Sequence, residues 1–219
     1  MSVRSKHNRA IRLLVTGFGP FPGAPFNPTQ LLVARLAKRR RPALSDVDTL
    51  IHVFPTSFAA VDAQMTRLVA QHQPDVIVMF GLAGRTKGLR IETLARNRAT
   101  RIFPDIDGAT PNRGVIAHNA GAMRGRAPFA RLAAAARAAG LPARLSLDAG
   151  RYVCNYSYWR ALETAEQSGG PAVVAFVHVP SLRKRQRRGG RSTSPTIDQL
   201  LRGAQAIVIA AAAAAKPVR

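Results

Sequence analysis

The pattern of hydrophobic residues predicts a single-domain, three-layer α/β/α sandwich built on a mainly parallel, twisted central sheet. Strand-like and helix-like patterns alternate along the chain, the order that lays helices on both faces of such a sheet. The clearest strand patterns are apolar runs rich in β-branched residues, as expected of strands buried on both faces. Finally, the 219 residues are 47% hydrophobic, enough for a full core, and no stretch of composition marks a linker. The domain is therefore expected to span residues 1–219, with 1–10 as a flexible basic tail.

In chain order, Leu13–Thr16 reads as the first strand and Asn27–Arg40 as the first helix, with Asn27 before Pro28 in a good N-cap position. Asp48–Phe54 and Asp75–Phe80 are strands on either side of the helix Ser57–His72. A glycine-rich turn, Gly81-Leu-Ala-Gly-Arg-Thr-Lys-Gly88, leads to a shorter alternating strand, Leu89–Ala95, expected as an antiparallel or edge element. Arg126–Gly140, Cys154–Gln167 and Thr196–Ala215 read as helices, and Ala143–Leu147 and Val173–His178 as the remaining strands. There is no internal repeat. The alanine runs 133–136 and 210–215 are low in complexity, and alanine's helix propensity is sufficient reason for them.

Three residues stand out chemically. The single cysteine, Cys154, lies where the loop Asp148-Ala-Gly-Arg-Tyr-Val runs into an aromatic-rich helical pattern. A thiol at a helix start is expected to favour thiolate, because free N–H groups there carry partial positive charge. An isolated cysteine is more often a small buried hydrophobe, so its neighbours decide. His178 ends the apolar run Val173–His178 before Val179-Pro180, at the C-terminal end of a strand, where ligand sites of open α/β sheets lie. It is a candidate general base; the alternative is a core histidine satisfied by a backbone carbonyl. Glu92, one of three glutamates, lies on the short strand after the glycine turn. Alone it reads as a solvated strand residue, but a Cys–His pair needs a third group to orient the imidazole, and a carboxylate serves.

With these residues on the page, the chain resembles the pyroglutamyl-peptidase I family of cysteine peptidases over nearly its whole length. The resemblance rests on Thr16-Gly-Phe-Gly-Pro-Phe-Pro-Gly23 with Asn27-Pro28, Gly81-Leu-Ala-Gly-Arg85, Arg101-Ile102 with Pro104-Asp105, Val153-Cys-Asn155 and Val177-His-Val-Pro180, five blocks in the family's order. It implies Cys154 as nucleophile, His178 as general base and later acid, Glu92 as the orienting group, and removal of an N-terminal pyroglutamate from peptides without metal or organic cofactor. Phe18 and Phe21 sandwich the lactam by this resemblance. Thr56, Ile102, Tyr152 and Val153 line the pocket, with Tyr152 where phenylalanine is usual. Asn27 holds the pocket loop, a role weighed equally with its N-cap reading, and Arg101 supports the site. A tetramer is the common family assembly.

Two departures accompany the resemblance. Leu82 stands where the family has glutamine in Gly-Gln-Ala-Gly-Gly-Arg, so a polar side chain near the lactam is absent. Activity toward pyroglutamate then survives if main-chain groups hold the ring there, and is altered if the glutamine side chain carries specificity. The segment Ile106–Gly114 reads as a divergent loop, which bears on substrate access.

Charge supplies the competing reading. Lys and Arg number 33 against 11 Asp and Glu, a net +22, with basic runs at Lys38–Arg41 and Arg183–Arg191. Such a surface attracts polyanions. Yet 28 of those cations are arginine, the chain is rich in alanine, and no nucleic-acid-binding signature appears. Compositional bias accounts for this equally well, so nucleic-acid binding is expected only as a non-specific property, and the Arg183–Arg191 run is expected as a loop near the site mouth that favours acidic peptides. A non-catalytic relative acting as a binding module is the third reading, opposed by retention of all three chemical residues. No apolar run was expected to approach the roughly 20 residues of a bilayer span, residues 1–10 lack the apolar region of a signal peptide, and a lone cysteine suits a reducing cytoplasm.

Overall fold

The computed structural model describes residues 9–39, 42–167, 169–183 and 194–216. Residues 1–8 of the expected tail, Arg40-Arg41 and most of the Arg183–Arg191 run lie outside the described residues. Arg9, expected in the tail, is instead held by both guanidinium nitrogens on the Asp75 carboxylate.

A six-stranded sheet forms the middle layer. Its strands are β1 (Ile11–Phe18), β2 (Val47–Phe54), β3 (Val76–Leu82), β4 (Leu89–Glu92), β7 (Ala143–Ser146) and β8 (Val173–Val179), in the spatial order β2-β1-β3-β8-β4-β7. The first four in that order are mutually parallel. β4 runs antiparallel to β8, and β7 runs parallel to β4. The expected antiparallel element therefore exists, but inside the sheet rather than at its edge. The expected single strand 89–95 is also divided: Leu94–Ala95 (β5) leaves the sheet to form a two-stranded ribbon with Met123–Arg124 (β6).

Alternation along the buried strands sorts the core into two halves. Val173, Ala175, Val177 and Val179 of β8 face a layer built from α1 (Pro28–Ala37), α3 (Phe129–Ala138) and α5 (Ile197–Ala215). Val174 and Phe176 face the opposite layer, α2 (Phe58–His72) and α4 (Val153–Glu166). Both β3 and β8 are buried on both faces, which is why their sequences read as unbroken apolar runs. Among the described residues α5 is the one helix long and apolar enough to cross a membrane, at 19 residues and mean hydropathy 1.2, contrary to the expectation from the sequence; 56% of that stretch is buried against the core.

Local chemistry sets the helix limits. Asn27 caps α1 by accepting from Thr29 N, with Pro28 at the first helical position. Ser57 caps α2 through Ala60 N, and Thr196 with Gln199 forms a capping box on α5. α3 begins at Phe129 rather than Arg126 because Arg126 is drawn into a bridge with Val174 and Pro128 occupies the N-cap. It stops before Gly140, whose φ of 81° is left-handed.

One buried side chain ties α4 to the chain that follows β5. The Asn155 side chain accepts from Arg96 N at 2.8 Å and donates to the carbonyls of Arg96 and Arg98 at 2.8 and 3.0 Å. These are main-chain groups that nothing in the apolar surroundings would replace. Asn155→Ala is expected to lower unfolding free energy by about 3 kcal/mol, with an unchanged m-value, in urea titration. A loss below about 0.5 kcal/mol would show that water or a shifted main chain satisfies these groups.

Candidate active site

The three chemical residues come from three elements that meet on the α2/α4 face. β8 presents His178, 5% exposed, one residue from its end. In the register with β3 its partner is Gly81, and in the register with β4 its partner is Arg90. Because β4 is reversed, Glu92 lies opposite Phe176, two residues back along β8, and its side chain meets the imidazole diagonally. His178 Nδ1 and Glu92 Oε1 are 2.7 Å apart. Arg90 donates from Nε and Nη2 to the same Oε1 at 3.1 and 2.9 Å. That oxygen is therefore an acceptor, so Nδ1 carries the imidazole proton and Nε2 is left with a free lone pair. Glu92 is fully buried, and its Oε2 has no partner among the described residues. The Tyr158 hydroxyl donates to the Glu92 main-chain carbonyl at 2.9 Å and fixes the strand there.

Cys154 is the second residue of α4. It is half-buried, and its sulfur is turned in against Gly81: a Cβ built on that glycine would lie 2.9 Å from Sγ and 2.7 Å from the Phe176 ring. Sγ thus lies against the strand position in register with His178, where only a hydrogen fits. The aromatic edge of this enclosure is Phe176, whose ring centroid is 5.0 Å from that of His178.

The helix start does not leave the thiol acidic, as the sequence led us to expect. Burial, and next the negative charge of Glu92, push the Cys154 thiol up to about 12, against smaller opposing effects from Arg90 and its own backbone N–H. Desolvation in an aromatic enclosure outweighs the partial charge of one helix turn. The resting thiol is neutral, and ionisation has to be coupled to transfer of its proton. Tyr152 is likewise pushed up to about 12 by burial, then by Asp105 and Cys154.

The residues expected to line a pocket divide into three groups. Asn27 and Thr56 both hold the loop after β1, donating to the Gly19 carbonyl at 2.9 and 3.0 Å, and Asn27 also caps α1. Tyr152 occupies the N-cap position of α4 without bonding its first turn and donates to the Pro104 carbonyl at 2.8 Å, with its ring 6.0 Å from Phe21 and 5.8 Å from Phe58; these form an aromatic rim beside Cys154. Leu82, half-buried, ends β3 in register with Val179. By contrast Phe18 is not a loop residue but the last residue of β1, 1% exposed and packed on Phe54 and Phe176. Val153 is wholly in the core. Arg101 is exposed, and Ile102 is 80% exposed, turned outward rather than lining the enclosure. The cause is Asp105, a buried carboxylate accepting from Phe58 N, Asp107 N and Ala109 N, which pins the loop from its far side. Gly81, Arg90 and Asn155 are the site residues that pattern reasoning gave no role. Gly81 and Asn155 stood within the quoted motifs; for Arg90 only its i,i+2 spacing to Glu92 on a strand could have signalled a shared face. Among the described residues no group of three or more His, Cys, Asp or Glu side chains is arranged to hold a metal ion.

A parallel-sheet α/β fold with a thiol at a helix start, an imidazole at a strand end and a carboxylate on that imidazole defines the class of cysteine peptidases with an orienting acid. A family profile described as pyroglutamyl peptidase matches residues 11–216, and the chain belongs to that family of cysteine-type ω-peptidases. A pyrrolidone-carboxylate peptidase of Thermococcus kodakarensis is 32% identical over 78% of this chain and 81% of its own, and one of Gloeobacter violaceus 31% identical over 90% and 95%. Among solved structures, pyroglutamyl peptidase I of Bacillus amyloliquefaciens superposes with a TM-score of 0.82 at 26% identity, covering 95% of this chain and all of that one.

Two outcomes test this geometry. Gly81→Ala is expected to reduce turnover on the order of a hundredfold by displacing Sγ, and to cost about 1–3 kcal/mol of stability because the buried Phe176 ring must shift as well. Alkylation of Cys154 by iodoacetamide is expected to accelerate about tenfold per pH unit from 7 to 10 without a plateau, because thiolate remains a minor species throughout. A plateau at or below pH 7 would mean a preformed ion pair and contradict the dominance of burial.

Proposed function

We propose that this chain hydrolyses the amide bond following an N-terminal pyroglutamate in peptides, by thiolate attack and an acyl-enzyme intermediate. The observation that supports it most directly is the buried Nδ1 to Oε1 contact of 2.7 Å, which leaves Nε2 free on a histidine in register with the glycine that abuts Cys154.

In this reading His178 Nε2 takes the Cys154 proton as Sγ attacks the pyroglutamyl carbonyl carbon. Imidazolium is stabilised by Glu92 as it forms, so the neutral resting thiol is no obstacle. No side chain caps the first turn of α4, and its N–H groups face the charge that develops on the carbonyl oxygen. Collapse breaks the C–N bond, and Nε2–H protonates the leaving amine. Water then attacks the thioester, His178 accepts its proton, and the sulfur leaves with that proton restored. Pyroglutamate is a neutral lactam, suited to the aromatic rim of Phe21 and Tyr152, with Phe18, Val153 and Thr56 behind it and Asn27 and Thr56 keeping the loop in place. Leu82 offers only main-chain groups to the ring. Arg101 and Ile102 stand at the outer edge, where the peptide beyond the lactam leaves. The cytoplasm as the site of action and a homo-oligomer, a tetramer by family resemblance, belong to the same reading; light scattering measures the latter.

The purified protein is expected to cleave a pyroglutamyl chromogenic amide and to leave prolyl, alanyl and glutamyl analogues intact. Cys154→Ala and His178→Ala should abolish turnover, while Glu92→Gln lowers it ten- to a thousandfold and leaves a measurable rate. Equal loss in Glu92→Gln and His178→Ala would make the carboxylate a direct proton-transfer group. Oligonucleotide binding, driven by the +22 charge, should vanish between about 50 and 200 mM salt with no sequence preference, while hydrolysis persists. Selective binding at physiological salt in a protein that cleaves no pyroglutamyl amide would refute the assignment.

A further inference from the structure

Arg90 touches the same carboxylate oxygen as His178, from the opposite side of the cluster. It pairs in register with His178, so both side chains leave the same face of the sheet. Two of its nitrogens donate to Glu92 Oε1, and Nη2 also donates to the Asp148 carbonyl in the loop between β7 and α4. One guanidinium therefore links β4, the acid of the site and the loop that delivers Cys154. Its side chain is 22% exposed against none for Glu92, so the cation reaches water while the carboxylate does not.

The charge count gives this contact its meaning. A carboxylate with no exposure is tolerated only when paired. In the resting site Glu92 and Arg90 sum to zero, and transfer of the thiol proton to His178 creates one negative and one positive charge more, still zero. Without Arg90 both states carry a net negative charge beside the sulfur, which opposes formation of thiolate.

We propose that Arg90 is a positioning residue of this site, which fixes the Glu92 carboxylate against His178 and supplies the positive charge that lets Cys154 ionise next to a buried acid. This rests on the peptidase reading above. The direction at the thiol agrees, since Glu92 raises it and Arg90 lowers it. The other groups around the thiol are His178 from β8 and Tyr152 from the cap of α4, with Asp105 acting on Tyr152 and Tyr158 facing Glu92. Arg85 and Arg144 share a shallow depression with Arg90 but are exposed, so solvent and salt screen them.

The test compares Arg90→Gln with Arg90→Lys in the full chain. Cys154 is the only cysteine, so alkylation by iodoacetamide reports its ionisation without any substrate. Removing a cation that lowers the thiol raises its titration, so at pH 8 Arg90→Gln should be alkylated about tenfold more slowly. Lysine keeps the charge and loses the fork. Arg90→Lys should be alkylated within about threefold of the wild-type rate, while kcat stays about tenfold low at unchanged KM. A folded Arg90→Gln with wild-type alkylation and wild-type kcat overturns the proposal. If Arg90→Gln fails to fold by circular dichroism, Arg90→Lys decides: wild-type kcat in that variant overturns it equally. A wild-type protein inactive on pyroglutamyl amides that still shows the tenfold alkylation difference would remove the substrate assignment and leave the charge role of Arg90 standing.

Discussion

Everything in this site depends on one reversed strand. Had β4 run parallel to β8 like the strands on the other side, its first residues would lie at the far edge of the sheet and its carboxylate would leave the imidazole unsupported. Running antiparallel, it starts beside His178 and descends, so that Arg90 lies opposite the histidine and Glu92 two residues further in. The reversal in turn requires the tight passage from Gly81 to Gly88. At its far end a Cβ on Gly88 would lie 2.5 Å from the Pro142 carbonyl oxygen, so the passage also packs against the start of β7.

That arrangement encloses opposite charges in an otherwise apolar layer. Phe176 packs on the His178 ring and Tyr158 bonds the Glu92 main chain, and both rings are buried. Excluding water strengthens each contact within it and makes each unpaired group expensive. Glu92 accordingly accepts from both sides at a single oxygen, while its second oxygen stays without a partner among the described residues. An acceptor aimed at nothing is a stability cost that a site can carry when its geometry serves chemistry.

The layered fold was legible because the central strands are buried on both faces and three of the helices carry their own caps: Asn27, Ser57 and Thr196 each bond their first turn. The Glu92, Cys154 and His178 constellation was legible from strand ends, a helix start and family motifs. What sequence could not carry was competition among forces at a single point. A helix start argues for thiolate, yet burial beside Phe176 and Glu92 reverses the sign. Phe18 sits in a Gly- and Pro-rich stretch but ends a strand one pleat longer than its pattern suggested, so its ring belongs to the core. Ile102 looks like pocket lining until the three N–H donors to Asp105 fix which way the loop turns. Arg90 was hidden because a strand arginine is ordinarily a solvated one.

The inward-facing sulfur has a consequence for chemical durability. Oxidants and electrophiles attack thiolate, not thiol, and attack it where they can reach it. A half-buried sulfur packed against Gly81 is guarded chiefly by staying protonated. Should a peroxide reach it, a sulfenic acid would form in a chain with no second cysteine to capture it as an internal disulfide, leaving repair to an external thiol. Under the mechanism proposed above, keeping the sulfur protonated until a proton acceptor and a carbonyl are both in place would double as protection of the molecule against its own reactivity.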